Sequence, residues 1–162
     1  MSKTHAVTPA PDGGYAGENT AEGDSALFSL TSGTHDTANG FQALFSNSTG
    51  SANAATGHNA LASNTIGSNN TANGGGVLAS NINGNSNTAT GHHTLNSNTS
   101  GSNNTADGAD ALTSNSSGTY NVAVGYFSLR SNTIGQFNTA TGAGALLLST
   151  GSANTANGAA RF

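Results

Sequence analysis

The chain has 162 residues, a formal net charge of −4, only three lysines and arginines, and neither cysteine nor tryptophan. So few basic side chains cannot neutralise a phosphate backbone, which argues against nucleic-acid binding. No apolar run approaches the roughly 20 residues of a transmembrane helix, so we predict no membrane span. The apolar content of 33% would suit a disordered chain, but such chains usually carry a high net charge as well, and this one does not.

Residues 1–18 form a lead-in that does not share the pattern of the rest. Pro9 and Pro11 fix the backbone and remove donors, and Tyr15 is the one bulky side chain of its later part. We expect the end of this segment to cover the open end of the first turn of a repeat; a frayed terminus is the alternative. The start has no apolar core of a secretory signal, so none is predicted.

A 17-residue repeat occupies residues 19–162. One copy, at residues 104–120, reads NTADGADALTSNSSGTY. Asn-Thr-Ala, or a near relative, begins at positions 19, 36, 53, 70, 87, 104, 121, 138 and 154. A leucine follows at a fixed place in eight copies: Leu27, Leu44, Leu61, Leu78, Leu95, Leu112, Leu129 and Leu146. A fixed period with fixed residue types indicates a repeat architecture.

Each repeat divides into two short arms that end at glycines. Glycine at this frequency disfavours helix, at about 1 kcal/mol each relative to alanine. Asparagine, serine and threonine compete with helical hydrogen bonds through their side chains. The spacing therefore predicts an all-β parallel β-solenoid with two strands per turn, 17 residues per turn and about nine rungs.

Strand alternation assigns side chains to faces. The alanine of Asn-Thr-Ala points inward, and the leucine column is the core. In the second arm, alternation places the serine column, including Ser114, on the same side as Leu112. Two asparagine columns should form amide stacks along the axis. They are Asn53, Asn70, Asn87, Asn104, Asn121 and Asn138, and Asn47, Asn64, Asn81, Asn98, Asn115 and Asn132.

One leucine and one alanine per turn make a thin core. A solenoid repeat cannot stand alone, and a small apolar core favours association. We therefore expect the chain to pack against copies of itself along the flank of the rod.

Candidate chemistry is sparse. His58 and His92 share a column but lie two rungs apart, about 10 Å, too far to share one metal ion. No nucleophile elbow and no phosphate-binding loop with its lysine occurs. The sequence predicts no catalytic residue, no metal and no cofactor, and a protein that is not an enzyme.

A threonine column on the outer side is a candidate binding face. Thr56, Thr90 and Thr141 add a second threonine column two residues on, which asparagine, aspartate, glutamate and valine interrupt. An ordered surface such as ice or a crystalline glycan would suit such an array. The candidate face residues are Thr88, Thr90, Thr139 and Thr141.

The two ends differ chemically. Residues 154–162 begin a ninth rung, and unpaired strand edges add further strands readily. Either this end continues in a longer protein or it meets another molecule. In the second case, rods join head to tail into a filament, with Tyr15, Arg161 and Phe162 at the junction.

The repeat NTAxGxxALxSNTxG resembles that of bacterial surface proteins related to the YadA-type heads of trimeric autotransporter adhesins, and of tail-fibre-type repeat proteins. The segment PAPDGGYAGENTAEG, residues 9–23, resembles the opening of such arrays. The resemblance implies a left-handed β-roll, a homotrimer, and display outside the cell, where host surfaces or glycans are the partners. The expected function is a structural or adhesive surface module; filament subunit and ordered-surface binder are the alternatives.

Overall fold

A computed structural model describes residues 17–159. Most of the lead-in and the predicted junction residues Tyr15, Arg161 and Phe162 lie outside them. Nine three-residue strands form one sheet in chain order. They are β1 (Thr20–Glu22), β2 (Thr37–Asn39), β3 (Ala54–Thr56), β4 (Thr71–Asn73), β5 (Thr88–Thr90), β6 (Thr105–Asp107), β7 (Val122–Val124), β8 (Thr139–Thr141) and β9 (Thr155–Asn157). Below, rung 1 to rung 9 denote the turns that contain β1 to β9.

Each strand pairs in parallel with the next, and every position meets its own counterpart. Ala21 lies beside Ala38, and Ala123 lies beside Ala140. The offset is 17 residues until β9, where Thr139 pairs with Thr155 because the preceding turn is one residue short. The predicted parallel β-solenoid and its 17-residue turn are confirmed.

The strands alternate as predicted. Their middle alanines point inward and their outer residues are exposed. Adjacent β-residues face opposite sides, so Thr105 and Asp107 face solvent on either side of Ala106. Three residues suffice because glycines turn the chain immediately afterwards. Gly108, for example, has φ of 124°, a conformation open to glycine and disfavoured for other residues.

The second arm is not a strand, and that prediction is wrong. Ala111 and Leu112 are adjacent and both fully buried, which strand alternation forbids. Leu112 has φ of 51°, in the left-handed region, so the backbone bends between the two side chains and brings both inside. The N–H of Asn115 closes the turn on the carbonyl of Leu112 at 3.0 Å. For the same reason Ser114 is only partly buried, outside the core where alternation placed it.

The bend makes the core larger than two apolar side chains per turn. A second small-residue column precedes the leucines and is buried throughout. It consists of Ala26, Ala43, Ala60, Val77, Thr94, Ala111, Ser128 and Ala145. The leucines from Leu27 to Leu129 are buried, and Leu146 is partly buried. Three interior columns, rather than two, therefore exclude water from the rod.

Two buried amide columns flank this core. The strand ladder consists of Asn19, Asp36, Asn53, Asn70, Asn87, Asn104, Asn121, Asn138 and Asn154. From Asn53 onward, the backbone N–H and Nδ2 of each asparagine donate to Oδ1 of the residue one rung earlier. Asp36 donates only its backbone N–H, to Asn19 Oδ1. Asn104 makes both bonds to Asn87 at 3.1 Å and donates a third to the carbonyl of Gly118 at 2.9 Å.

The turn ladder consists of Asn47, Asn64, Asn81, Asn98, Asn115 and Asn132. Asn98 Nδ2 donates to Asn81 Oδ1 at 2.8 Å and to the Gly101 carbonyl at 2.9 Å. The Gly101 carbonyl also accepts from Asn87 of the strand ladder at 2.9 Å. In the five turns from Gly67 to Gly135, the two ladders therefore meet at a glycine carbonyl, and buried polar groups in this part of the rod are largely satisfied.

Candidate interaction face

The outer residues of the nine strands form a long, narrow exposed face. Its first column is Thr20, Thr37, Ala54, Thr71, Thr88, Thr105, Val122, Thr139 and Thr155. Its second column is Glu22, Asn39, Thr56, Asn73, Thr90, Asp107, Val124, Thr141 and Asn157. Rungs stack about 4.8 Å apart, so the face is a regular grid of small side chains in which Glu22 and Asp107 are the charged members.

The candidate threonines lie on this face and are exposed, but they do not form one cluster. Thr88 and Thr90 belong to β5, whereas Thr139 and Thr141 belong to β8. Three rungs, about 14 Å, separate the pairs. Thr56 has Ala54 rather than threonine as its partner on β3, so two rungs carry the complete Thr-x-Thr arrangement.

Rung 7 interrupts the grid with large apolar side chains. Val122 and Val124 occupy both outer positions of β7 and are each 37% exposed. Tyr120 and Tyr126 stand on either side of this strand and are each 53% exposed. We call these four residues the rung-7 belt. The other eight strands have no valine at either outer position.

Aromatic stacking extends the belt at its corners. Tyr120 stacks on Phe137 of the next turn, with ring centroids 5.2 Å apart and planes 4° from parallel. Tyr126 stacks on Phe127 at 3.8 Å, and the Arg130 guanidinium lies 4.4 Å from the Phe127 ring centre. Both tyrosines of the belt therefore pack against a neighbouring ring.

The histidines of residues 17–159 are dispersed along the rod. His58 stacks on Phe41 at 5.3 Å, and His92 lies against His93 at 3.9 Å. At the surface, His35 Nε2 lies 3.3 Å from Glu18 Oε2. Across residues 17–159, no three histidine, aspartate or glutamate side chains come together as metal ligands would.

Asp36 is the one carboxylate of the described residues that is fully buried. It occupies an asparagine position of the strand ladder. Its Oδ1 accepts from the backbone N–H of Asn53 at 2.9 Å and from Asn53 Nδ2 at 3.1 Å. Burial raises the pKa of the Asp36 carboxyl, whereas the hydrogen bonds from Asn53 and Asn47 and the nearby His35 act to lower it.

Sequence reasoning did not single out Asp36 or the rung-7 belt. Both are departures from a column consensus: aspartate among asparagines, and valine among threonines and other small polar residues. Scoring each column for its exceptions would have found them. The burial of Asp36 required the structure, because Asp36 precedes the strand, whereas strand alternation already places Val122 and Val124 on the outer side.

Comparisons of the chain with protein-family models, with curated proteins and with solved structures find no match. The adhesin-like character of the repeat therefore stays a prediction from the sequence motif. The described part of the chain holds no helix with the length and hydropathy to pass through a bilayer.

Proposed function

We propose that this protein is a non-enzymatic structural or adhesive rod that presents its strand face to an extended partner at the cell surface. The observation that carries the proposal is the in-register stacking of nine strands whose outer residues recur at one spacing. A partner with its own repeat, such as a glycan chain, would meet outer side chains at the same spacing on each rung. Many weak contacts then add up through multivalency.

The narrow interior supports a rod rather than a catalyst. Alanine, leucine and hydrogen-bonded amide columns fill it along the described residues. A binding surface, by contrast, needs only a rigid face, and the two amide ladders supply rigidity. Display outside the cell is the location that the repeat resemblance implies, and it belongs to the same proposal.

A binding survey tests the adhesive function. The purified chain is incubated with insoluble polysaccharides and with a soluble glycan array, beside a variant with Thr37→Lys, Thr71→Lys and Thr105→Lys. These threonines are exposed on the strand face, so the variant should fold. The lysines should prevent the glycan from contacting the face at every rung. Binding by the parent alone supports the proposal; equal binding by both, or by neither, contradicts it.

Binding to an ordered surface such as ice is a second candidate, favoured by the exposure of the threonine columns. Replacing Thr88, Thr90, Thr139 and Thr141 with tyrosine should abolish thermal hysteresis and ice shaping. Thr49→Tyr with Thr133→Tyr is the matched control, because these threonines are exposed but lie outside the strands. Absence of hysteresis in the parent protein would reject this candidate.

The homotrimer and the head-to-tail filament stay predictions. Light scattering measures the first, and electron microscopy of the purified protein measures the second. Fibres that shorten when residues 154–162 are deleted would support joining, and discrete rods would contradict it.

A further inference from the structure

Most of the large exposed apolar side chains among the described residues lie on rung 7 and at its junctions with the neighbouring turns. Six of the ten large apolar residues exposed among the described residues lie between positions 120 and 137. They are Tyr120, Val122, Val124, Tyr126, Ile134 and Phe137. A group of exposed apolar side chains on an otherwise polar face indicates an interaction site. Elsewhere the strand face is built from threonine, asparagine and other small residues, so the patch has a defined place and edge.

We propose that the rung-7 belt is the contact through which two copies of this chain pack face to face, with their rod axes antiparallel. The twofold axis runs parallel to β7, midway between the two faces, so the belt of each copy covers the belt of the other. Val122 then lies opposite Val122 of the second copy, and Val124 opposite Val124. A self-complementary patch of this kind is what an isologous dimer requires. This inference does not depend on the adhesive function.

Charge disfavours nucleic acid and other strongly anionic partners on this face. The strand face carries two carboxylates, Glu22 and Asp107, and no lysine or arginine. Nucleic acid and anionic surfaces would be repelled. In the antiparallel dimer, Asp107 on rung 6 of one copy lies opposite Thr141 on rung 8 of the other. The Thr141 hydroxyl can donate a hydrogen bond to the Asp107 carboxylate.

Charge also selects the antiparallel orientation. Glu18, Glu22 and Asp24 are all exposed at the N-terminal end of the rod. Parallel packing would place both sets of carboxylates at the same level and cover Glu22 of each copy. Like charges brought together in this way disfavour a complex. The antiparallel arrangement places the acidic ends at opposite extremes and leaves rungs 1 to 4 uncovered.

The overlap is limited, and this sets the expected affinity. Rungs 5 to 9 of one copy cover rungs 9 to 5 of the other, which is about 24 Å of the face. Interfaces that bury less than about 1,200 Å² in total are weak and transient. We therefore expect association in the micromolar range. The covered rungs include Thr88, Thr90, Thr139 and Thr141, so the dimer would compete with binding of an ordered surface there.

A concentration series in multi-angle light scattering tests the contact. The parent chain should pass from one to two chain masses as its concentration rises. In the Val122→Thr/Val124→Thr variant, rung 7 takes the side chains that rung 8 has, so the fold should survive. The variant should dimerise about tenfold more weakly or worse. Thr37→Ala/Asn39→Ala, on the uncovered rung 2, is the matched control and should dimerise as the parent does.

Cross-linking tests the orientation, because the chain has no cysteine of its own. In the antiparallel pair Thr88 lies opposite Thr155 across a sheet spacing of about 10 Å, whereas the two copies of Thr88 are about 22 Å apart. A thiol cross-linker that reaches about 12 Å should therefore join a mixture of Thr88→Cys and Thr155→Cys chains but not Thr88→Cys alone. Self-linking of Thr88→Cys would show parallel packing and overturn the proposed orientation.

The remaining outcomes are equally decisive. A single chain mass at every concentration overturns the proposal, and so does a mass of three chains, which would support the homotrimer instead. Undiminished dimerisation of the valine-to-threonine variant would place the contact elsewhere. A monomer whose belt variant loses binding to a crystalline polysaccharide would assign the belt to that partner rather than to a second copy.

Discussion

The carboxylate of Asp36 joins the two amide ladders of the rod by accepting a hydrogen bond from Asn47 Nδ2 at 2.9 Å. Elsewhere each turn-ladder asparagine donates to the asparagine one rung earlier, as Asn64 does to Asn47 at 2.8 Å. Asn47 has no such neighbour, because Leu30 occupies that position. Asp36 Oδ2 provides the missing acceptor, while Asp36 Oδ1 serves Asn53 in the strand ladder. One aspartate therefore accepts hydrogen bonds from both ladders.

Leu30 and Asp36 together determine which acceptor Asn47 uses, so we predict that substitutions at these two positions are energetically coupled. Asp36→Asn removes the acceptor that Asn47 Nδ2 uses, and Leu30→Asn supplies a new one. The double variant should be more stable, by about 1 kcal/mol, than the sum of the two single changes indicates. Urea unfolding of all four proteins measures this energy. Strict additivity would show that Leu30 and Asp36 act independently.

Asp36 should make stability depend on pH. Because burial raises its pKa above the ordinary value of 3.8, the folded state binds this proton more tightly than the unfolded state. Its contribution to the free energy of unfolding is therefore full below 3.8 and is lost as pH rises through the higher folded pKa. Thermal melts of the parent and of Asp36→Asn, at pH values from below the ordinary pKa to above the folded pKa, test this. The parent should gain stability relative to the variant as the pH falls. A constant difference would refute the assignment.

The strand ladder should tolerate no gap at its centre. Asn87→Ala removes the acceptor of the Asn104 backbone N–H and Nδ2, and one donor to the Gly101 carbonyl. Buried groups left without partners cost about 1–3 kcal/mol each, so a loss of about 3 kcal/mol or more is expected. Asn73→Ala, at an exposed strand position, is the control and should change stability by less than about 0.5 kcal/mol. Equal effects would mean that the ladder contributes little.

Gly101 is required because the next rung approaches it closely. A Cβ there would overlap Asn98 Oδ1 and lie 2.5 Å from the Gly118 carbonyl oxygen. Gly101→Ala must therefore displace the Asn98 side chain of the turn ladder, or the backbone of the next rung. Such overpacking typically costs about 1–3 kcal/mol. Gly151 holds the same column, but its Cβ would come no closer than 3.3 Å to Asn154 Nδ2. Chemical unfolding should therefore rank Gly151→Ala as the milder change, and the reverse order would contradict this packing.

The leucine column should be sensitive to size and polarity, in spite of its unusual backbone. Leu112→Ala should cost about 2–5 kcal/mol by leaving a cavity. Asparagine suits the left-handed backbone better than leucine, but its amide would be buried among apolar side chains, so Leu112→Asn should be worse and prevent folding. Leu148→Asn is the control, since Leu148 is 80% exposed. Circular dichroism with thermal melting distinguishes these results.

The sequence by itself determined the parallel stack, its period and the identity of its columns. In a solenoid each residue lies beside its counterpart one turn later, so a column of leucine, alanine or asparagine in the sequence is a column in space. Asn87 beside Asn104 and Ala106 beside Ala123 follow from the 17-residue spacing alone.

Only the tertiary structure decided the path of the chain within each turn. The choice between a strand and a bend at Ala111-Leu112 depends on whether burial of both side chains outweighs the cost of a left-handed leucine, and no local pattern reports that balance. The roles of residues that depart from their column consensus also became clear only from the structure. Leu30 and Asp36 are six residues apart in the sequence. Leu30 has no side-chain acceptor for Asn47 on the next turn, and Asp36 accepts that hydrogen bond instead.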